Sequence, residues 1–275
     1  MPGHKHWERW LLVVLCVVIV LLPLLWTVLA SFGVLVDNTV TPPLWSWPPT
    51  LASYAEINIE QTYFWQEFAT TILLSAVITL LTTGIAFMAA YALARSRFCW
   101  RRIMVQGCLV LGSLPVFSFI FPLSDMLRVL RLHDTFVGMT LAECALFAPL
   151  AVYILHGYIK QVPTEWEESA YLDGAGLRQV LTRVVLPAVY PGLIATAVII
   201  FTLSWNQYYL PTILTGIHIK VIPVMMRDFF ALERDFDWRL AAGVLIISLL
   251  PVSLVVAAAH RVMERFIFVP LTENG

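Results

Sequence analysis

Charge is scarce in this chain. Asp, Glu, Lys and Arg supply 13% of its 275 residues, and hydrophobic residues supply 60%. A soluble domain carries about 25% charge and about 45–50% apolar residues, so this excess needs a solvent other than water. The net charge of −1 marks no particular partner, and without a basic stripe nucleic acid is not expected. Cysteine is sparse as well. Cys16, Cys99, Cys108 and Cys144 form no C-x-x-C pair, and three of them lie in apolar runs. They read as small buried hydrophobes, not as a disulfide framework. His4 and His6 share a terminal tail and the other histidines are scattered, so no spacing supports a metal site. There is no G-x-x-x-x-G-K-[ST] loop, hence no cradle for the phosphates of ATP on this chain. No clustered His, Asp or Cys nucleophile set suggests a membrane enzyme. No linker, low-complexity tract or repeat divides the chain, which reads as one domain, 1–275.

Long uncharged runs are what it has. A bilayer core of about 30 Å is crossed by about 20 apolar residues in a helix. Six runs meet that length, at roughly 10–32, 68–94, 103–124, 136–159, 190–216 and 240–259, the fourth broken only by Glu143. The expectation is an all-α integral membrane protein with six transmembrane helices. The first run is about twice as long as the usual core of a cleaved signal, which favours a retained helix. Ala86, Ala90 and Ala94 recur at four-residue spacing, a stripe that lets helices approach closely.

Orientation follows from the basic residues of the loops. With the N-terminus inside, eleven of the 17 Lys and Arg fall on the cytoplasmic side: Lys5, Arg9, Arg95, Arg97, Arg101, Arg102, Lys160, Arg178, Arg183, Arg261 and Arg265. The 33–67 segment has none, which assigns it to the outside, and its Trp45 and Trp47 suit a membrane interface.

The loop at 160–187 departs from the apolar pattern. Pro163-Thr164-Glu165-Trp166-Glu167 reads as a helix start, with Thr164 as cap and Glu167 closing a capping box. The carboxylates of Glu165, Glu167 and Glu168 suit the positive end of the helix dipole. Asp173-Gly174-Ala175-Gly176 then turns the chain. A second short helix carries Leu177, Val180, Leu181 and Val184 on one face and is expected to end at Pro187. Amphipathicity alone leaves two readings open: a helical pair resting on its own bundle, or one that docks on a partner.

Glu168-Ser169-Ala170, then Gly174, then Val184, Leu186 and Pro187 resemble the EAA loop of ATP-binding-cassette importer permeases, in spacing throughout. Ser169 stands where that family has alanine, and Val184 where it has isoleucine. Trp47-Pro48-Pro49-Thr50-Leu51 with Tyr54, Ala89 to Arg95, Leu130, Leu132, Asp134-Thr135, Gly138, Trp205-Asn206-Gln207, Asp237-Trp238 and His260-Arg261 are similar to further patterns of the carbohydrate-uptake branch, the maltose and glycerol-phosphate importer type. The tail Pro270 to Gly275 departs from that branch's ending.

The resemblance implies a permease subunit, not an enzyme, that forms half of a translocation path for a sugar or a related polyol, amino sugar or glycerol-phosphate. It implies ATPase coupling through Glu168, Ser169, Ala170, Asp173, Gly174, Val184, Leu186 and Pro187. It also implies partners: a second, non-identical permease, a dimer of ATP-binding subunits that hold ATP and Mg, and an extracellular solute-binding protein. The site of action is then a bacterial or archaeal cell (inner) membrane, crossed several times, with both termini cytoplasmic. The rival is an ion-coupled secondary transporter, whose signature would be broken helices and ionisable groups at the midplane. Glu143 alone fits that signature.

Four residues are candidates for the substrate path. Trp205 offers a ring to stack on a sugar, and Asn206 and Gln207 offer hydrogen bonds to hydroxyls; inter-helix bonding is the alternative for the two amides. Glu143 is an ionisable group inside the fourth span, roughly 12 Å from its outer end by helical rise. It is expected either to line the cavity or to bond, protonated, to a neighbouring helix.

Overall fold

A computed structural model describes residues 4–37, 44–45, 47–59, 63–97, 99–216, 218–229 and 238–267. Asp237 and the tail 270–275 therefore lie outside the described residues. The described chain is helical, apart from one small strand pair. Its elements are α1 (His4–Ser31), β1 (Leu35–Asp37), β2 (Leu44–Trp45), α2 (Ala52–Ile59), α3 (Phe64–Arg95), α4 (Arg101–Ser113), a 3-10 turn (Val116–Ser118), α5 (Ile120–Val129) and α6 (Phe136–Gln161). After these come α7 (Thr164–Leu172), α8 (Leu177–Val180), a π-helical turn (Leu181–Val185), α9 (Leu186–Trp205), α10 (Tyr209–Leu214), α11 (Ile222–Phe229) and α12 (Trp238–Ile267). Five helical stretches among the described residues are long and apolar enough to cross a membrane: Arg9–Ser31, Phe64–Arg95, Phe136–Gln161, Leu177–Trp205 and Trp238–Glu264.

The third expected span, 103–124, is not one helix. Leu114 takes an extended backbone, φ −69° and ψ 139°, and α4 stops there. The cause is Pro115, whose ring disfavours the helical region for the residue before it. An uncharged run does not reveal such a break, because hydropathy is blind to backbone sterics. The fifth expected span, 190–216, is also divided: α9 ends at Trp205 and α10 starts at Tyr209. At the other end of α9 the helix is longer than expected. Pro187 does not terminate it, and the chain stays helical from Leu177 to Trp205. Proline in a helix removes one hydrogen bond and crowds the carbonyl four residues back. The wider π turn at Leu181–Val185 directly before it absorbs that crowding.

The chain divides into two compact units, 1–66 with 225–250, and 67–224 with 251–275. In the first, α1 is apolar and unburied along its membrane-length window, as expected of a helix with lipid around it. The antiparallel strands pair Leu35 with Trp45 and Asp37 with Leu44. Tyr54 Oη donates to Ser31 Oγ at 2.9 Å, and Arg239 meets Glu56 at 3.8 Å.

The second unit contains the main core, where α6 is the most enclosed helix. Half of its apolar window is buried, against a third for α9. Met139, Phe147, Leu155 and Ile159 of α6 pack with Leu74, Ile78, Ala86 and Ala90 of α3 and with Val189 and Ile200 of α9. Ala86 and Ala90 are fully buried and Ala94 half-buried, so the alanine stripe is a packing face. Away from that stripe α3 leaves Leu80 74% exposed, a surface made for lipid. α9 lies against α6 at Gly192: a Cβ there would stand 2.3 Å from the Tyr158 ring, so only glycine permits this approach. Of the four cysteines, only Cys144 is buried, where its Sγ accepts from Thr82 Oγ1 at 3.3 Å.

Candidate functional site

The loop after α6 is built from a short helix, a tight turn and the start of a long helix. Its helix α7 is closed by a Schellman motif. Ala175 N–H reaches back to Ala170 O and Gly174 N–H to Tyr171 O, each at 3.0 Å. Gly174 adopts φ +84°, a left-handed conformation that costs an L-residue about 1–2 kcal/mol. The turn inferred at 173–176 therefore has a backbone reason for its glycine. Gln179 Oε1 then accepts from Gly176 N–H at 3.0 Å and starts α8.

The expected cap of α7 is not made. Pro163 holds the cap position with no side-chain bond, and Thr164 is already helical. Glu167 turns away from its own helix end. It is buried, and both of its carboxylate oxygens are engaged by α3: Arg95 Nε donates to Oε1 at 2.7 Å and Tyr91 Oη to Oε2 at 2.9 Å. Arg95 Nη2 also lies 2.6 Å from Oε1 and donates to Val162 O, the carbonyl beyond the end of α6, at 2.8 Å. Ion pairing thus replaces capping, because a guanidinium satisfies a buried carboxylate better than one backbone N–H does. The signal in the sequence was Arg95, a basic residue at the end of one helix facing a loop rich in glutamate.

The remaining loop residues divide by face. Val180 and Leu181 are buried and Val184 and Leu186 half-buried, so the second helix does rest on its own bundle. Glu168, Ser169, Asp173 and Pro187 are exposed, and Ala170 is half-buried against the core. Serine at 169 is tolerated because that position faces outward. Trp166 and Leu177 are each 55% exposed and Leu172 is 89% exposed, so the loop that exposes Glu168 also leaves large apolar side chains uncovered.

Deeper in the bundle, three helices share a polar cluster. Glu143 of α6 is 1% exposed, and its Oε2 accepts from Ser204 Oγ of α9 at 2.6 Å. Ser204 Oγ lies 3.3 Å from Ser75 Oγ of α3. A hydroxyl has one proton and two lone pairs, so Ser204 can give its proton to Glu143 while accepting from Ser75. Of the two roles open to Glu143, this conformation has the inter-helix bond; the carboxyl does not face an open cavity. Trp205 is likewise covered. Its ring stacks on Phe201 at 6.0 Å and meets the edge of Phe68 at 5.7 Å, so no face is open to a sugar. Asn206 and Gln207 lie not within a helix but at the break between α9 and α10. Asn206 is exposed, its Nδ2 donating to Thr202 O at 2.8 Å, and Gln207 is half-buried.

The segment after α10 is pinned by Asp134, which stands just before α6. This residue, at φ +55°, accepts through Oδ1 from Gly216 N–H at 2.8 Å and Ile219 N–H at 3.3 Å, and through Oδ2 from His218 N–H at 3.1 Å. Thr135 caps α6 by accepting from Gly138 N–H at 3.0 Å. These contacts give the Asp134-Thr135 pair a physical role that spacing alone did not disclose. Among the described residues, no group of three or more His, Cys, Asp or Glu could hold a metal ion.

Residues 83–269 match the family described as Binding-protein-dependent transport system inner membrane component. The chain belongs to this family. The permease is 30% identical to the trehalose transport system permease protein SugB of Mycobacterium tuberculosis over 71% of its own length and 74% of that protein. It is 28% identical to the trehalose/maltose transport system permease protein MalG of Thermococcus litoralis over 86% of each chain. The fold is similar to that of a chain from a bacterial ABC transporter involved in import of the acidic polysaccharide alginate, with a TM-score of 0.75 and 19% identity over 95% of this chain and 99% of that one. Membership makes this a multi-pass permease of the inner membrane that works with other components of a transporter, and it displaces the ion-coupled reading.

Proposed function

We propose that the chain forms one half of the translocation path of an ATP-driven carbohydrate importer and couples to a separate ATPase through α7 and the turn after it. The observation that carries this reading is the loop itself. α7 is closed by the positive-φ Gly174 and exposes Glu168, and the same loop leaves Trp166, Leu172 and Leu177 uncovered. Uncovered large apolar side chains and an exposed charge on one short helical hairpin suit a protein interface. Without a phosphate cradle of its own, the chain takes ATP and Mg only through that partner.

The substrate class rests on the relatives, which serve trehalose, trehalose/maltose and diacetylchitobiose transport. A sugar fits the polar groups at the α9–α10 break, where Asn206 and Gln207 can exchange hydrogen bonds with hydroxyls. Glu143 and Trp205 act from behind them, holding Ser204 and the end of α9 in place. The remaining partners are a second, non-identical permease and an external solute-binding protein. The third crossing is made jointly by α4 and α5, giving six spans, with both termini cytoplasmic as the basic loops favour.

The test is reconstitution of the complete transporter with Glu168→Lys or Gly174→Leu. Both variants are expected to insert and assemble while losing donor-stimulated ATP hydrolysis and uptake. Full stimulated hydrolysis and uptake in both assembled variants would remove the loop as coupler.

A further inference from the structure

We infer that Arg95, Tyr91 and Glu167 form the joint that hands movement of α7 to α3, so that Arg95 and Glu167 are positioning residues for coupling. The inference rests on the permease reading above.

The chain itself gives α7 no link to α3. α7 is joined covalently to α6 through Val162-Pro163 and to α8 through residues 173–176, whereas Arg95 lies 72 positions before Glu167. The link is made by side chains. Glu167 and Arg95 have only 6% and 16% of their side chains exposed, so the pair is shielded from water and salt screens it weakly. Both carboxylate oxygens are held, Oε1 by the guanidinium and Oε2 by Tyr91, so the carboxylate resists rotation as well as withdrawal. Tyr91 and Arg95 are four residues apart on α3 and lie on one face of it. Arg95 also grips Val162 O, which fixes the root of α7 to the same guanidinium.

The neighbours of Glu167 point elsewhere. Trp166 and Glu168 are exposed on either side of it. Consecutive helical residues are set about 100° apart, so α7 has an outward face for a partner and an inward tooth in α3. α3 has 32 residues, about 48 Å of rigid helix. Toward its far end are Phe68 and Ser75, which touch Trp205 and Ser204 next to the α9–α10 break. A push on α7 therefore reaches the end of α9 along α3, beside the covalent route through α8.

The experiment uses the complete transporter in proteoliposomes with Glu167→Gln, Arg95→Met and the exchange Arg95→Glu with Glu167→Arg. The readout is solute taken up per ATP hydrolysed, read against amide hydrogen exchange over residues 164–172 in the same complexes, so that lost coupling is separated from simple loosening of α7. Each single variant is expected to assemble, keep basal hydrolysis and lose about fivefold or more of uptake per ATP, and the exchange to recover part of it. Unchanged uptake per ATP in assembled single variants would overturn the inference. A second measurement does not depend on those variants. Spin labels at Ser96→Cys and Glu165→Cys, in a cysteine-free but otherwise native complex, are expected to keep one separation with and without ATP. A separation that shifts with nucleotide would overturn the joint even if the substituted complexes did not assemble. If the native complex showed no donor-dependent uptake at all, the permease reading itself would fail, a result distinct from the other two.

Discussion

Two buried glutamates in the same unit are held in different ways. Glu167, at the end of the bundle that carries α7, is paired with a guanidinium and a phenol. Glu143, within α6, is held by the hydroxyl of Ser204, itself beside Ser75. Removing one partner from a buried ion pair strands a charge and costs about 3–5 kcal/mol. Hydroxyl bonds between membrane helices are worth about 0.6 kcal/mol on average, with a maximum near 1.7. The first arrangement fixes two elements together. The second holds helices only as firmly as a few hydroxyls can, which suits a region that must rearrange as substrate passes.

The largest effect expected from this contrast is at Arg95. Arg95→Met leaves the Glu167 carboxylate buried without its cation, and α7 should lose about 3–5 kcal/mol of local stability. Amide hydrogen exchange over residues 164–172 would report it as faster exchange, with α6 and α9 unchanged. Removing both charges, as Arg95→Met with Glu167→Met, should cost less than Arg95→Met alone, since no stranded charge remains. Exchange in α7 equal to the parent's in Arg95→Met would put the two glutamates on the same footing.

A middle-sized effect sharpens the other side. If Glu143 is held weakly, the α6–α9 contact must rest mainly on packing, and at Gly192 the two helices approach too closely for any larger residue. Gly192→Leu drives a side chain into the Tyr158 ring, and overpacking of this kind costs about 1–3 kcal/mol. The thermal midpoint of the purified complex should fall, and Tyr158→Ala added to Gly192→Leu should restore part of it. No fall would mean that α6 and α9 separate without cost.

Legibility in the sequence followed the range of the interaction. Local backbone demands were readable: the positive φ of Gly174 and the turn at 173–176 follow from residues adjacent in the chain. The membrane lengths of α1, α3, α6 and α12 follow from composition. Two proline effects were misread in opposite directions. Pro115 divided an apolar run that looked continuous, and Pro187 failed to stop a helix because a π turn made room for it. Glu167 was misassigned because T-x-x-E is the spacing of a capping box, while its true partners lie 72 and 76 positions upstream. Spacing within one segment carries no information on which distant helix will supply the cation. Trp205 was readable as an aromatic beside amides, but Phe68 and Phe201, which cover it, enter only through tertiary packing.

The smallest effect expected is at Glu143, and it decides whether the comparison holds. Glu143→Gln keeps the shape and the ability to accept from Ser204 but cannot carry a charge; Ser204→Ala removes the donor and leaves the carboxyl. If the pair is a hydroxyl-to-carboxyl bond between α6 and α9, the single change Ser204→Ala should cost about 0.6–1.7 kcal/mol. Glu143→Gln should cost less, because the amide oxygen still accepts. A cycle with Glu143→Leu, Ser204→Ala and both together isolates the bond, since the two residues touch and their effects cannot simply add. Coupling near or below 1 kcal/mol would match a hydroxyl staple. Coupling of about 3 kcal/mol or more would mean that Glu143 is anchored as firmly as an ion-paired carboxylate, and the distinction between the two ends of the bundle would be lost. Transport adds an independent axis. Uptake rate, affinity and substrate preference that match the parent in Glu143→Gln would place Glu143 wholly in the scaffold. A change in preference with an unchanged thermal midpoint would show that it reaches the solute when α9 moves.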